Sequence, residues 1–126
     1  MTRKNETLYS SLKRIFHEPS RLAIVSALCK EQHGLTFNQL KKECKLTFGN
    51  LSSHLKTLQD AGVIHVEKYF VDNKPCTSVS LTDSGREQFV KYLKALEEVL
   101  QKAAEAVAET DKDFSLPFLS IKAARA

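Results

Sequence analysis

Two Leu-Thr pairs eleven residues apart, Leu35-Thr36 and Leu46-Thr47, leave the chain between them few choices of fold. Each Thr suits a helix N-cap, where its hydroxyl accepts from an early N–H that lacks a carbonyl partner. Gln39, three residues after Thr36, completes a capping box. Leu35 with Leu40, and Leu46 with Leu51, have the spacing of hydrophobic staples, which fix the angle at which the chain enters each helix. A short helix over about 37–44 and a second over about 48–61 follow, separated by little more than Lys45 and Leu46. Two short helices joined this tightly form a helix-turn-helix.

Gly62 ends the second helix, and the period of the pattern then changes. "VIHVEKYFV" is rich in β-branched and aromatic residues and alternates through Ile64, Val66 and Lys68. "DNKP" is a turn cluster, and "CTSVSL" alternates again through Thr77, Val79 and Leu81. The pattern predicts a two-stranded hairpin. Upstream, Leu8, Leu12, Ile15 and Phe16 predict a first helix over 6–16. Pro19 ends it and opens a second, which carries Leu22, Val25, Leu28 and Cys29 to about Glu31 and stops at Gly34. The expected architecture is mainly α with a small β-hairpin, an α+β winged helix-turn-helix.

A third pair, Leu81-Thr82, opens the last helix, expected over 83–109. Phe89, Leu93, Leu96, Leu100, Ala103 and Val107 recur at alternating spacings of four and three, a heptad seam. At about 1.5 Å per residue the helix spans roughly 40 Å, which outruns the small core before it. Its seam is expected to pack against a second copy; the alternative is a fold back onto the first helix of the same chain. "ETDKD" breaks the pattern. The tail that follows carries Phe114, Leu116, Phe118, Leu119 and Ile121, and it covers apolar surface of its own dimer or docks a partner. The 126 residues divide as helix-turn-helix 36–61, wing 63–81, dimerisation helix 83–109 and tail 110–126, one domain in all.

The helix over 48–61 has two distinct faces. At about 100° per residue, Leu51, Leu55 and Leu58 share a narrow arc, with Phe48 on its flank, and face the core. Gly49, Ser53, Lys56 and Asp60 lie opposite, flanked by Asn50, Ser52 and Thr57. A merely solvated face is usually full of Glu, Lys and Arg; these first two turns are small and hydrogen-bonding instead. Small residues let a backbone approach a major groove, Ser and Asn suit base edges, and Lys56 suits a guanine edge or a phosphate. A polar solvent face is the bland alternative.

Charge is consistent with nucleic acid without being diagnostic. The net charge is +4 and the isoelectric point about 9.0. The excess lies in the first two-thirds: residues 34–80 carry six Lys against four acids, whereas 81–126 carry seven Lys/Arg against eight. The three cysteines, Cys29, Cys44 and Cys76, are odd in number and widely spaced, which argues against a disulfide framework. Cys29 and His33 have i, i+4 spacing, but two ligands do not make a metal site. No nucleophile–base arrangement, phosphate loop or paired carboxylate appears, and four glycines are too few for a nucleotide cradle. Neither enzyme activity, a metal nor a cofactor is expected. The N-terminal stretch has no continuous apolar run, so neither a signal peptide nor a membrane span is expected and the default compartment is the cytoplasm.

Over roughly residues 18–100 the chain resembles the winged-helix transcriptional regulators of the MarR/ArsR type, most closely the small MarR-like winged-helix DNA-binding proteins. "PSRLAIVSAL", "TFNQLKKECKLTFGNLSSHLKTLQDAGVIHVEK", "NKPCTSVSLTDSGREQF" and "YLKALEEVL" carry the resemblance. It implies a recognition helix over 48–61 with Asn50, Ser52, Ser53 and Lys56 nearest the bases. It also implies a wing tip at Asn73 and Lys74, and a dimer interface from the first and last helices, including Leu8 and Leu12. One departure stands out: Lys45 occupies a turn position where the family often has Gly. The expectation is a homodimeric, sequence-specific regulator of transcription, a repressor, on a pseudo-palindromic duplex site. Its partners are double-stranded DNA and itself, with a small-molecule effector left open. The alternative is a winged-helix protein–protein adaptor, which would tolerate acids around the helix; Asp60 is the sole acid within 48–61.

Overall fold

The computed structural model describes residues 9–10 and 12–116. Leu8 and the tail from 117 onward, with Phe118, Leu119 and Ile121, lie outside the described residues. In chain order the elements are α1 (Pro19–Cys29), β1 (Leu35–Thr36), α2 (Phe37–Cys44), α3 (Phe48–Asp60), β2 (Ile64–Val71), β3 (Lys74–Leu81) and α4 (Asp83–Thr110). The fold is a winged helix of the α+β class.

The capped helices form where the local chemistry dictates. The Thr36 hydroxyl accepts from the Gln39 N–H at 3.1 Å and the Gln39 side chain accepts from the Thr36 N–H at 2.8 Å, a complete capping box. Thr47 caps α3 through the Asn50 N–H at 3.1 Å. Leu40 and Leu51 are fully buried, and Leu35 and Leu46 pack half-buried against the same core, as the staples require. Gly62 closes α3: its N–H donates to the Gln59 carbonyl, and that of Val63 to the Leu58 carbonyl, both at 3.0 Å. This is a Schellman pair whose two apolar members, Leu58 and Val63, are both buried.

The tight turn is paid for at Lys45, which sits left-handed at φ 56° and ψ 48°. The N–H groups of Lys45 and Leu46 satisfy the Lys42 and Lys41 carbonyls at 3.3 and 3.1 Å. A β-carbon in that region costs about 1 kcal/mol or more. Lys45→Gly should therefore stabilise the protein by about 0.5–1 kcal/mol, net of the larger entropy glycine loses on folding. Urea titration checks this; a destabilised variant would mean that the lysine stem contributes more than its backbone strain costs.

Two expectations change. First, the helix over 6–16 does not run through to Phe16: residues 12–18 form turns. Pro19 forces its predecessor out of helical geometry, and Glu18 is extended, capping α1 through the Arg21 N–H at 2.8 Å. The Arg21 guanidinium then donates to the carbonyls of Ile15 at 2.8 Å and Arg14 at 3.1 Å, so the turn's free acceptors are satisfied by a side chain. Second, the sheet has three strands in the order β1-β3-β2, all antiparallel, rather than two. β1 pairs Leu35 with Val79 and Thr36 with Ser78. Gly34 is not the stop of α1, which is capped by Lys30; it lies at φ 87° where an added Cβ would strike the Val79 carbonyl, so glycine is what lets the chain pass close to β3.

The hairpin itself turns on Asp72 and Asn73, both at positive φ (53° and 65°), between Val71 and Lys74 paired in register. This is the two-residue turn whose twist matches that of the flanking strands. The core gathers Ile24, Val25 and Leu28 of α1, Leu40, the three leucines of α3, Val63, Ile64 and Val79. Phe16, Phe89 and Tyr92 close it at one end, with ring centroids 5.2–5.8 Å apart. The Tyr92 hydroxyl meets His17 Nδ1 at 2.9 Å, and burial pushes its pKa up.

Candidate nucleic-acid interface

α3 is held from behind. Leu51, Leu55 and Leu58 seat it on the core, and His54 Nδ1 lies 3.3 Å from Arg21 Nη1 and 3.9 Å from the Glu18 carboxylate. The groups that cap α1 thus also fix the orientation of α3. The opposite face is free to meet a ligand. Gly49, Asn50, Ser53, Lys56 and Thr57 are exposed and Ser52 is half-buried. A Cβ added at Gly49 would meet nothing within 4 Å, so no packing demand among the described residues accounts for that glycine. Thr57 Oγ1 donates to the Ser53 carbonyl at 3.2 Å. Lys56 pairs with Asp60 at 3.6 Å; a pair this exposed is worth about 0–1 kcal/mol and does not withhold the lysine from a phosphate.

α3 and the sheet enclose a groove of about 550 Å3. Ser52 and Lys56 line it from α3, facing Val66 and Lys68 of β2 and Pro75 and Thr77 of β3. Asn73 and Lys74 stand beyond its far end at the exposed hairpin tip. Of its lining residues only Ser52 and Lys56 were expected at the site from the sequence; Asn38, Gln59 and Lys68 are among the polar ones that were not. Lys68 had a usable signal, since it shares the alternation of Ile64 and Val66.

Phe48 is a correction. It is 66% exposed, not on the core, and its ring leans on Phe37, centroids 5.0 Å apart. Its angular position on the helix was read properly, for it shares a stripe with Ser52, Leu55 and Gln59. Leu51 and Leu55 of the same helix reach the core, but Phe48 at its first position lies past the core's edge.

The long helix α4 presents two sides. Phe89, Tyr92 and Ala95 are buried in the chain's own core, and Leu96 packs half-buried against it. Val90, Leu93, Leu100 and Val107 are exposed, by 37–43%, and Ala103 is exposed as well. Val90, Leu93, Leu96 and Leu100 line a shallow groove of about 410 Å3 with Lys94 and Glu97. Phe89 therefore offers a second copy almost no surface, and Leu12 is half-buried against the core.

Among the described residues no group of three or more His, Cys, Asp or Glu is placed to hold a metal ion. Cys29, Cys44 and Cys76 are free thiols. Burial raises the pKa of Cys29 against the opposing pull of Arg86, and that of Cys44 with Glu43 adding and Lys30 opposing. Among the described residues no helix is long and apolar enough to cross a membrane.

A capped helix-turn-helix with a lysine-bearing wing defines a class of nucleic-acid-binding module. Residues 20–100 match the family model of the winged helix DNA-binding domain, and the chain belongs to that family. It is 33% identical over 80 residues to an uncharacterised protein of Methanocaldococcus jannaschii, covering 64% of this chain and 86% of the other. The solved structure of a transcriptional regulator homologue from Pyrococcus horikoshii superposes with a TM-score of 0.70 at 33% identity, over 78% of this chain and 97% of that one. A MarR-family regulator from Silicibacter pomeroyi shares the fold at 18% identity and a TM-score of 0.55, over 99% of this chain and 84% of that one.

Proposed function

We propose that the chain is a homodimeric regulator of transcription that lays α3 in the major groove of a pseudo-palindromic duplex site, with the wing tip at Asn73 and Lys74 against the flanking backbone. The observation that carries this is the outer face of α3. Gly49, Asn50, Ser52, Ser53 and Lys56 are small, polar or cationic, and no packing within the described chain requires them. A helix N-terminus also presents free N–H groups and a positive dipole end to phosphate. Two-fold symmetry sets half-sites about one helical turn apart, roughly 34–36 Å. A dimer seated on such a site excludes other proteins from it, which is the repressing role we assign.

The test is Lys56→Ala in a mobility-shift titration across salt concentrations. Wild-type affinity should fall steeply as salt rises, because each neutralised phosphate releases counterions. The variant should bind several-fold more weakly, with a logarithmic salt slope shallower by about one per subunit. Binding that is unchanged and insensitive to salt would remove α3 from the interface. One observation favours a second reading: Tyr69, Phe70 and Val71 are exposed on β2, which suits an adaptor that binds protein through its wing. That reading predicts no salt-sensitive duplex binding at all.

A further inference from the structure

We propose that Phe48 is a specificity-determining residue whose ring reads the C5 methyl group of a thymine in the major groove. This rests on the DNA-binding reading above and adds to it the identity of one base.

Phe48 is the first residue of α3, directly after the Thr47 cap. It is 66% exposed, although a ring of that size is ordinarily drawn into a core. Its position is nonetheless defined. Phe37, the first residue of α2, is half-buried and packed on the core, and the Phe48 ring leans on it at 5.0 Å with the planes inclined by 50°. The two N-caps that start the helices therefore also place the two rings against each other. The outer ring is braced on one side and open on the other, so little side-chain freedom remains to be lost on binding.

The surroundings select the occupant. Asn38, Ser52, Lys56 and Lys68 line the same groove as the two rings. The groove sets apolar surface at Phe48, Val66 and Pro75 beside polar and cationic groups at Asn38, Ser52, Lys56 and Lys68, which suits the edge of a base pair flanked by phosphates. N-terminal residues of a recognition helix are the ones that meet base edges. On the major-groove edges the thymine methyl is the one projecting apolar group; cytosine carries only a C5–H at that place, and the N7, O6, O4 and amino positions are acceptors or donors that a phenyl ring would desolvate without replacing their hydrogen bonds. Phe48 thus favours thymine over cytosine at one position in each half-site.

The experiment begins with selection of bound sites from random duplex DNA by the full chain. Each thymine of the selected half-site is then replaced by deoxyuridine, which lacks only the methyl group. At one position the wild type should lose about fourfold in affinity per half-site, the worth of one buried methyl-sized group. Replacing that T·A pair by 5-methylcytosine·G should bind better than replacing it by C·G. Phe48→Ala should bind more weakly and treat thymine and uracil alike at that position. Phe48 packs only at the margin of the core, so the variant should keep the wild-type circular dichroism spectrum and melting temperature. Wild-type binding indifferent to every uracil substitution, or a thymine preference that survives in Phe48→Ala, overturns the assignment alone. A wild-type chain that selects no duplex overturns the DNA-binding reading and the assignment with it.

Discussion

Gly85→Ala should lower the melting temperature by roughly 8–12 °C, the largest loss of stability expected from so small a change. Gly85 is buried in the first turn of α4, and its N–H donates to the Thr82 hydroxyl at 2.8 Å. A Cβ there would fall on the carbonyl oxygen of Val63, with the Val63 carbonyl carbon and Cα at 2.8 and 2.9 Å. Those atoms cannot easily retreat. The Val63 carbonyl accepts from the Thr82 N–H at 3.0 Å and from the Thr82 hydroxyl at 3.1 Å. The Val63 N–H is bound to Leu58, and its side chain is fully buried. The hydroxyl of Thr82 also reaches the Gly62 carbonyl at 2.7 Å. Relief of the clash must therefore pull the start of α4 away from the junction of α3 and β2. Overpacking of this kind costs about 2–3 kcal/mol, which for a domain of this size gives the shift stated. Gly49 supplies the contrast, since its added carbon meets open space. Thermal melts followed by circular dichroism at one protein concentration would check the result. An unchanged midpoint for Gly85→Ala would mean that the α3–β2–α4 junction is not rigid.

This junction also shows what the sequence could and could not reveal. Thr82 was legible as a cap because capping is local, a hydroxyl and an N–H three residues on. For the same reason the bounds of α2 and α3 agree with the capping signals at Thr36 and Thr47. Gly85 was not legible as a contact with Val63, because nothing local distinguishes a glycine held by a close approach from one in a loop. β1 went unseen since its two residues had already been read as a staple and a cap. They serve those roles and pair with β3 as well. The end of the first helix turned on Pro19 and on Arg21, whose side chain reaches back six and seven residues to the carbonyls of Ile15 and Arg14. Long-range packing decided the fate of Phe48, which starts a stripe that the core covers at Leu55 but not at its first residue.

The seam of α4 divides along similar lines, and the division leads to the prediction with the largest effect on binding. Leu93→Glu combined with Leu100→Glu should convert the dimer we propose into a monomer and reduce affinity for a duplex with two half-sites by about 100-fold or more, the usual worth of bivalent engagement. A heptad pattern fixes which residues share a face without saying what covers it. In the folded chain Phe89, Tyr92 and Ala95 are spent on the chain's own core, while Leu93, Leu100 and Val107, with Val90 beside them, remain outside. One side of the helix packs on its own domain near Phe16, and the other side is exposed. Along the 28-residue helix these exposed positions form an apolar strip with Lys94 and Glu97 beside it. A two-fold partner would set the same strip against itself and bring charges of opposite sign into reach. Because both leucines are already exposed in the single chain, their replacement should change monomer stability by no more than about 0.5 kcal/mol, so loss of binding would not reflect unfolding. Affinity for a single half-site should stay within about twofold, since the surface of α3 is untouched. Analytical ultracentrifugation reads the assembly and fluorescence anisotropy with one-half-site and two-half-site duplexes reads the binding. A wild type that sediments as a monomer, or a doubly substituted chain that still dimerises, would show that this strip is not what joins two copies.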